Sequence, residues 1–403
     1  MIVIIPSLDT SLALAKAKGS FEETKGKYEL FTEFDDVALL TQDDQDFSEA
    51  LLKIVHVPCT FSKYEPIRRI LSRSSYIRWF YFFLRSFPWL VRHHKNIDLV
   101  ISENIDSPAP LIVSMLFKIP YVIYYRYDVG SQVKWINKRS IIGTIVLAEE
   151  RFAFKRVKAL WVTSSHLASM IKAGGRRKRI TVIPNWITKT ENAGNIANTS
   201  CEERPIGTSI LFVGRLHLVK RVNLLVQAFY FLHKKDPRVN LYLLGDGEEW
   251  QRIQELINSL GLADSVHLLG FVDREIVLKM MKQSDVLVLC SKVEGNPRVL
   301  IEAMMSKIPI VATNVPGIRD IVQHKKTGYL VDHPKPEELA RAIEYVLQNE
   351  QFSKAMVNCA YTFAIQNFSK ESAMQKIRKE LALLLPKYQR RGESRVSQLP
   401  KIT

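Results

Sequence analysis

The sequence predicts an α/β chain built from two doubly wound parallel-sheet domains, and three observations carry that prediction. Short apolar runs alternate with helical patterns through both halves, as expected for parallel strands joined by crossover helices. A polar stretch, Thr188 to Thr208, interrupts the alternation once and reads as a linker. The 403 residues, 47% of them apolar, exceed what one core usually serves and suffice for two.

In the first half the expected strands are Ile2–Ile5, Val37–Leu40, Lys53–Val57, Leu99–Ser102, Tyr121–Tyr125 and Ala159–Thr163, with Ile180–Ile183 as an edge. In the second they are Ser209–Val213, Asn240–Leu244, Val266–Leu269, Asp285–Leu289, Ile308–Ala312 and Gly328–Val331. The expected organisation is a first domain over 1–187, the linker over 188–208, a second domain over 209–370, a helix over 371–387 and a disordered basic tail over 388–403. Two doubly wound domains facing each other place both carboxyl edges on one central cleft.

Met1 to Ile5 is too short for a secretory signal and meets Pro6, and no apolar stretch is long enough to cross a bilayer. Cys59, Cys201, Cys290 and Cys359 are scattered without metal-ligand spacing, which points to reduced thiols, no zinc and a cytoplasmic setting.

The net charge of +16 is concentrated: residues 66–190 carry 22 basic and 6 acidic side chains. Between 66 and 97 there are Arg68, Arg69, Arg73, Arg78, Arg85, Arg92 and Lys95 without an acid. Interleaved are Tyr76, Trp79, Phe80, Tyr81, Phe82, Phe83, Phe87 and Trp89. Such a basic, aromatic helical hairpin fits an interfacial contact with an anionic membrane, with Arg69, Arg78, Trp79, Phe82, Arg85 and Trp89 as contacts. A core helix with solvated arginines is the alternative. Nucleic acid is disfavoured because no Gly/Lys-rich single-strand platform is present.

The second half carries the chemistry at its expected strand ends. Val213 runs into Gly214-Arg215, with Lys220 five residues beyond the arginine. Glycine permits close backbone approach, arginine can fork onto a diphosphate, and lysine adds a mobile charge. Gly245-Asp246-Gly247 is a second strand-end turn, without the third glycine of a dinucleotide fingerprint. Phe271 and Val272 follow the next strand. Then come Glu294-Gly295-Asn296-Pro297-Arg298-Val299-Leu300-Ile301-Glu302, two glutamates with seven residues between them across a helix start. Asn296 is expected to cap that helix and Pro297 to be its first residue. Amides of Asn296, Arg298 and Val299 then point outward, where an anion is favoured. The acidic run Asp43-Asp44-Gln45-Asp46 lacks the context of a metal site.

With these motifs the chain resembles the retaining glycosyltransferases of family four, the group-one transferases of GT-B fold, strongly over 205–370 and in architecture alone over the first half. The resemblance implies two Rossmann-like domains and a UDP- or GDP-linked sugar donor treated as substrate, with no cofactor or metal. Arg215 and Lys220 match the residues that neutralise the donor diphosphate, Glu302 the carboxylate on the ribose hydroxyls, and Glu294 the carboxylate beside the sugar. Phe271 and Val272 fall where the base is held, with Gly214, Gly245, Gly295, Asn296, Arg298 and Val299 completing the donor site. Since the first domain of that fold faces the acceptor, the basic aromatic segment suits a lipid-linked acceptor, or a glycan one, at the inner face of a membrane, in polysaccharide or glycolipid synthesis.

The sequence departs from the family in three places. Pro297 has no amide to donate. Ser7-Leu8-Asp9-Thr10-Ser11 replaces a glycine-rich loop, and Tyr125-Arg126-Tyr127-Asp128 stands where many members carry a histidine, leaving Arg126 or Asp128 as its substitute. Two other classes fit the same scaffold: a nucleotide-sugar epimerase, and a non-catalytic nucleotide-sugar or membrane-surface binding protein.

Overall fold

The computed structural model describes residues 1–6, 27–28, 30–33, 35–40, 54–57, 75–105, 107–126, 141–174, 179–187, 207–332 and 334–385. They form two compact units. One comprises Met1–Thr163, Leu167–Ile183 and the segment from Met374; the other comprises Ser164–His166 and Pro184–Ala373.

The first unit is built on a parallel sheet of seven strands in the order β3-β2-β1-β4-β5-β6-β7. They are β1 Ile2–Ile5, β2 Val37–Leu40, β3 Ile54–Val57, β4 Leu99–Glu103, β5 Tyr121–Tyr125, β6 Ala159–Val162 and β7 Ile180–Val182. The central strands are buried along their whole length, which is why they read as continuous apolar runs rather than alternating ones. In register, Val3 lies beside Ala38 on one flank and Val100 on the other.

The second unit has six parallel strands in the order β10-β9-β8-β11-β12-β13. They are β8 Ser209–Val213, β9 Asn240–Leu244, β10 Val266–Gly270, β11 Val286–Leu289, β12 Ile310–Thr313 and β13 Tyr329–Val331. Leu225, Phe229, Leu287, Val288, Leu300 and Met304 are among its buried core. β12 starts two residues later than the sequence suggests. Pro309 has no N–H for the ladder, although its carbonyl still accepts from the Leu287 amide at 2.8 Å.

From residue 75 the basic aromatic segment is a helix, Ser75–His93, with Pro88 inside it, followed by a short 3₁₀ turn, His94–Asn96. Residues 66–74, the rest of the expected hairpin, lie outside the described residues. Phe82 is only 2% exposed and packs into the first core with Leu90, so it faces inward and cannot meet a membrane. Phe82, Ser86 and Leu90 recur every four residues and define the buried face. Trp89 is half-buried and stacks on His93 at 4.3 Å. Arg69, and the side chains of Arg78, Trp79 and Arg85, lie outside the described residues, as do residues 188–206 and the tail from 386. Among the described residues no helix is long and apolar enough to cross a membrane.

Candidate donor site at the second switch point

In the second sheet β8 leads to β9 and β10 on one side, while β11 leads to β12 and β13 on the other. The carboxyl ends of β8 and β11 are therefore neighbours at the point where the winding reverses, the crevice where open α/β sheets bind ligands. Gly214-Arg215 leaves β8 and Ser291 to Gly295 leaves β11, so two motifs 80 residues apart meet there.

Backbone contacts fix the meeting. The Arg221 Nε donates to the Cys290 carbonyl at 2.9 Å, the Lys292 amide to the Val219 carbonyl at 2.7 Å, and the Thr313 hydroxyl to the Ser291 carbonyl at 2.6 Å. The Cys290 thiol is buried in this seam and burial pushes its pKa up to about 12, so it stays protonated and inert. The result is a Lys220 Nζ that lies 2.5 Å from Glu294 Oε1, which also accepts from the Ser291 hydroxyl at 2.6 Å. Lys220 and Glu294, two of the expected donor-site residues, are thus brought together.

Two glycines make the approach possible. A Cβ on Gly245, whose φ is +137°, would sit 2.0 Å from the Gly214 carbonyl oxygen. One on Gly317 would sit 2.2 Å from the Glu294 carbonyl oxygen. Only a residue without a side chain lets these loops close on each other.

Arg215 is 71% exposed and reaches Glu248 at 3.2 Å, which also holds His217 at 3.0 Å. Its guanidinium stands at the rim rather than beside Lys220. Phe271 is 56% exposed, an apolar shelf at the end of β10, while Val272 packs partly against the core.

The second glutamate sits on the helix Arg298–Met305. Pro297 is not its first residue: it precedes the helix in an extended conformation, ψ 109°, and Asn296 does not cap. The reason is competition. The Asn296 side-chain oxygen accepts from the Asn185 amide at 3.0 Å and its backbone oxygen from Asn185 Nδ2 at 2.8 Å. Its own Nδ2 is buried without a hydrogen-bond partner among the described residues. Arg298 and Val299 occupy the first turn, whose amides have no carbonyl behind them within the helix.

Glu302 is held by Arg274, Nη2 to Oε1 3.2 Å, with Arg298 at 3.9 Å. Burial raises its pKa and Arg274 opposes the rise. Sequence reading missed Arg274, Ser291 and Asn185. The only signal was position: Arg274 opens the helix after Phe271, and Ser291 ends the strand before Glu294.

In the first unit, Asp128 and Ser7 to Ser11 lie outside the described residues. Arg126 is described and is tied to Glu103, Nη1 to Oε2 3.2 Å. Among the described residues no group of three or more His, Cys, Asp or Glu is placed to hold a metal ion.

Two units of this α/β topology, with the strand-end motifs of the second, define the GT-B fold. A family model described as "Glycosyl transferases group 1" matches residues 204–363, and one described as "Glycosyltransferase Family 4" matches 35–190. N-acetyl-alpha-D-glucosaminyl L-malate synthase of Bacillus anthracis is 30% identical over 69% of this chain and 74% of its own length. An uncharacterized glycosyltransferase of Haemophilus influenzae is 35% identical over 36% of this chain and 40% of that protein. A Campylobacter jejuni alpha-1,4-N-acetyl-D-galactosaminyltransferase, named for a diNAcBac-PP-undecaprenol glycan, is 33% identical over 38% of this chain and 42% of that protein. The chain thus matches about two fifths of the length of the last two. Among solved structures, Anabaena HepE in complex with UDP-glucose superposes with TM-score 0.69 at 20% identity, covering 95% of this chain and 99% of that one. Sucrose-phosphate synthase of Thermosynechococcus elongatus gives 0.75 at 18%, covering 96% and 99%. These two likenesses concern the fold. The chain belongs to the group 1 glycosyltransferases.

Proposed function

We propose that the chain moves a sugar from a UDP- or GDP-linked donor to a lipid-linked or glycan acceptor, with retention of configuration. The observation that carries this reading is the Lys220–Glu294 pair, 2.5 Å apart at the second switch point, with Glu302 on the adjoining helix. Glycosyl transfer places negative charge on the departing diphosphate and positive charge on the sugar ring. In the proposed reaction Lys220 exchanges Glu294 for the diphosphate, Arg215 swings from Glu248 to join it, and Glu294 turns to the sugar hydroxyls. First-turn amides of Arg298 and Val299 add the field of the helix start, and the buried Asn296 Nδ2 supplies one more donor. Glu302, oriented by Arg274, takes the ribose hydroxyls, and Phe271 covers the base. The acceptor hydroxyl attacks on the leaving-group face and gives its proton to a phosphate oxygen, so this reading needs no metal.

One relative, named for an undecaprenol-linked glycan, supports the acceptor class, while another is named for L-malate, a small carboxylate. The helix Ser75–His93 supports work at an anionic membrane surface, since its solvent side exposes Leu84, Pro88 and Arg92. Arg69, Arg78, Trp79, Arg85 and Trp89 remain the proposed contacts and Phe82 is withdrawn. A donor screen by thermal shift followed by product analysis tests the whole: transfer of sugar to an acceptor is expected. Release of an epimerised free sugar, or donor binding without turnover, contradicts it.

A further inference from the structure

The loop that carries Glu294 is weakly tied by its own backbone. Among the described residues, Glu294, Gly295 and Asn296 enter no backbone-to-backbone hydrogen bond. Side chains hold the loop instead. Glu294 Oε1 accepts from Lys220 Nζ and from the Ser291 hydroxyl, and Asn296 is held at two points by Asn185. The Asn185 amide donates to Asn296 Oδ1 at 3.0 Å, while Asn185 Nδ2 donates to the Asn296 carbonyl at 2.8 Å. The loop also packs against Gly317, where a Cβ would sit 2.2 Å from the Glu294 carbonyl oxygen and 2.6 Å from that of Gly295. Asn185 stands on a fixed support. Two residues on, the Ile187 amide donates to the Phe368 carbonyl at 2.9 Å, and the Ile187 carbonyl accepts from the Lys370 amide at 3.2 Å. The Ile187 side chain is buried in the core of the second unit, to which all of these residues belong.

We propose that Asn185 is a positioning residue for the donor sugar: by holding Asn296 it fixes loop 294–296 in the geometry that sets Glu294 against the sugar. The proposal rests on the reading of Glu294 as the sugar-side carboxylate and adds the residue that orients it. The ties on the loop differ in what the proposed reaction does to them. Lys220 leaves Glu294 for the diphosphate and Glu294 turns to the sugar hydroxyls, so the ion pair no longer anchors the loop. The two bonds from Asn185 do not involve the Glu294 side chain and persist. Glu302 needs no such support, because Leu300, Ile301, Ala303 and Met304 anchor its helix in the core and are fully buried. Loss of the Asn185 bond to the Asn296 carbonyl therefore spares the nucleotide end and loosens the sugar end, where a misplacement of about 1 Å costs about 10²-fold in rate.

The test combines calorimetric titration of the full chain with UDP and GDP and steady-state hydrolysis of UDP-glucose, UDP-N-acetylglucosamine and GDP-mannose. The nucleotide that binds wild type is expected to bind Asn185→Ala with the same affinity, while kcat for the matching nucleotide-sugar falls about tenfold or more. Asn185→Asp is the sharper variant. It keeps the shape of asparagine but sets an oxygen against the Asn296 carbonyl in place of a donor, so it should turn over more slowly than Asn185→Ala. Asn185→Gln, which keeps the amide donor, should recover part of the loss. Equal kcat in Asn185→Ala and wild type, or Asn185→Asp faster than Asn185→Ala, overturns the proposal. Loss of nucleotide affinity in step with kcat in Asn185→Ala marks a structural role alone and also overturns it. A wild type that binds neither UDP nor GDP removes the donor reading itself, and the sugar-side role falls with it.

Discussion

The two switch points occupy equivalent places in their sheets and are made of different materials. The second is largely backbone: glycines at 214, 245 and 317, a helix start at Arg298, and one accessible ion pair between Lys220 and Glu294. The first, at the carboxyl ends of β1 and β4, is largely side chain: the closed carboxylate of Glu103 with two cations, Lys27 and Arg126, and the Asn104 side-chain amide, whose Nδ2 is unpaired among the described residues. Backbone amides and short loops suit a ligand shared by many enzymes of one family, because any sequence with glycine at the right place can supply them. A site made of side-chain charges can differ from one enzyme to the next.

The comparison can be broken by substitution, and the largest effect is expected at Lys220. Lys220→Ala should lower kcat by about 10²–10³-fold, the scale of removing a group that stabilises developing charge, while donor affinity changes less; steady-state kinetics with a saturating donor reads it. Gly317→Ala should cost about 1–3 kcal/mol of unfolding free energy, because its Cβ meets the Glu294 carbonyl. Urea denaturation checks the cost, and an unchanged midpoint removes the close-approach argument.

Arg274→Gln should weaken donor binding about tenfold, about 1.4 kcal/mol. It should also move the acid limb of donor binding to higher pH. The sign follows from Glu302: burial already raises its pKa, the ionised form is the one that accepts ribose hydroxyls, and Arg274 is the charge that opposes the rise. Binding is therefore lost as pH falls through that raised value, and lost sooner without Arg274.

The smallest effect belongs to Lys27. Its pKa falls from 10.5 in the free side chain to about 8 in the folded chain. The associated stability is fully present above pH 10.5 and is lost as pH falls through about 8. Lys27→Met should flatten that part of the stability profile, measured by denaturation between pH 7 and 11.

The same contrast explains what was legible in the sequence. Strands buried on both faces announce themselves as apolar runs, so the elements of both sheets could be read to within a residue or two. The placing of Gly214, Lys220, Glu294 and Glu302 around one sheet edge was legible because each sits at a fixed offset from a strand end or helix start. Glu103 and Lys27 were not, since they lie 76 positions apart in sequence and only the sheet order brings them together. Arg274 was hidden for the same reason. Phe82 misled because aromatic and basic residues interleave along the helix. Composition shows that mixture, whereas the four-residue spacing of Phe82, Ser86 and Leu90 decides which face is buried. Asn296 was assigned a cap by its place in the sequence, and lost that role to Asn185, a partner 111 residues away.

We propose that the second switch point grips the nucleotide, and titration of UDP and GDP into wild type, Glu302→Ala and Arg126→Gln tests this most directly. One nucleotide should bind wild type and Arg126→Gln alike and bind Glu302→Ala at least tenfold more weakly. Unchanged nucleotide affinity in Glu302→Ala, or its loss in Arg126→Gln, contradicts the account.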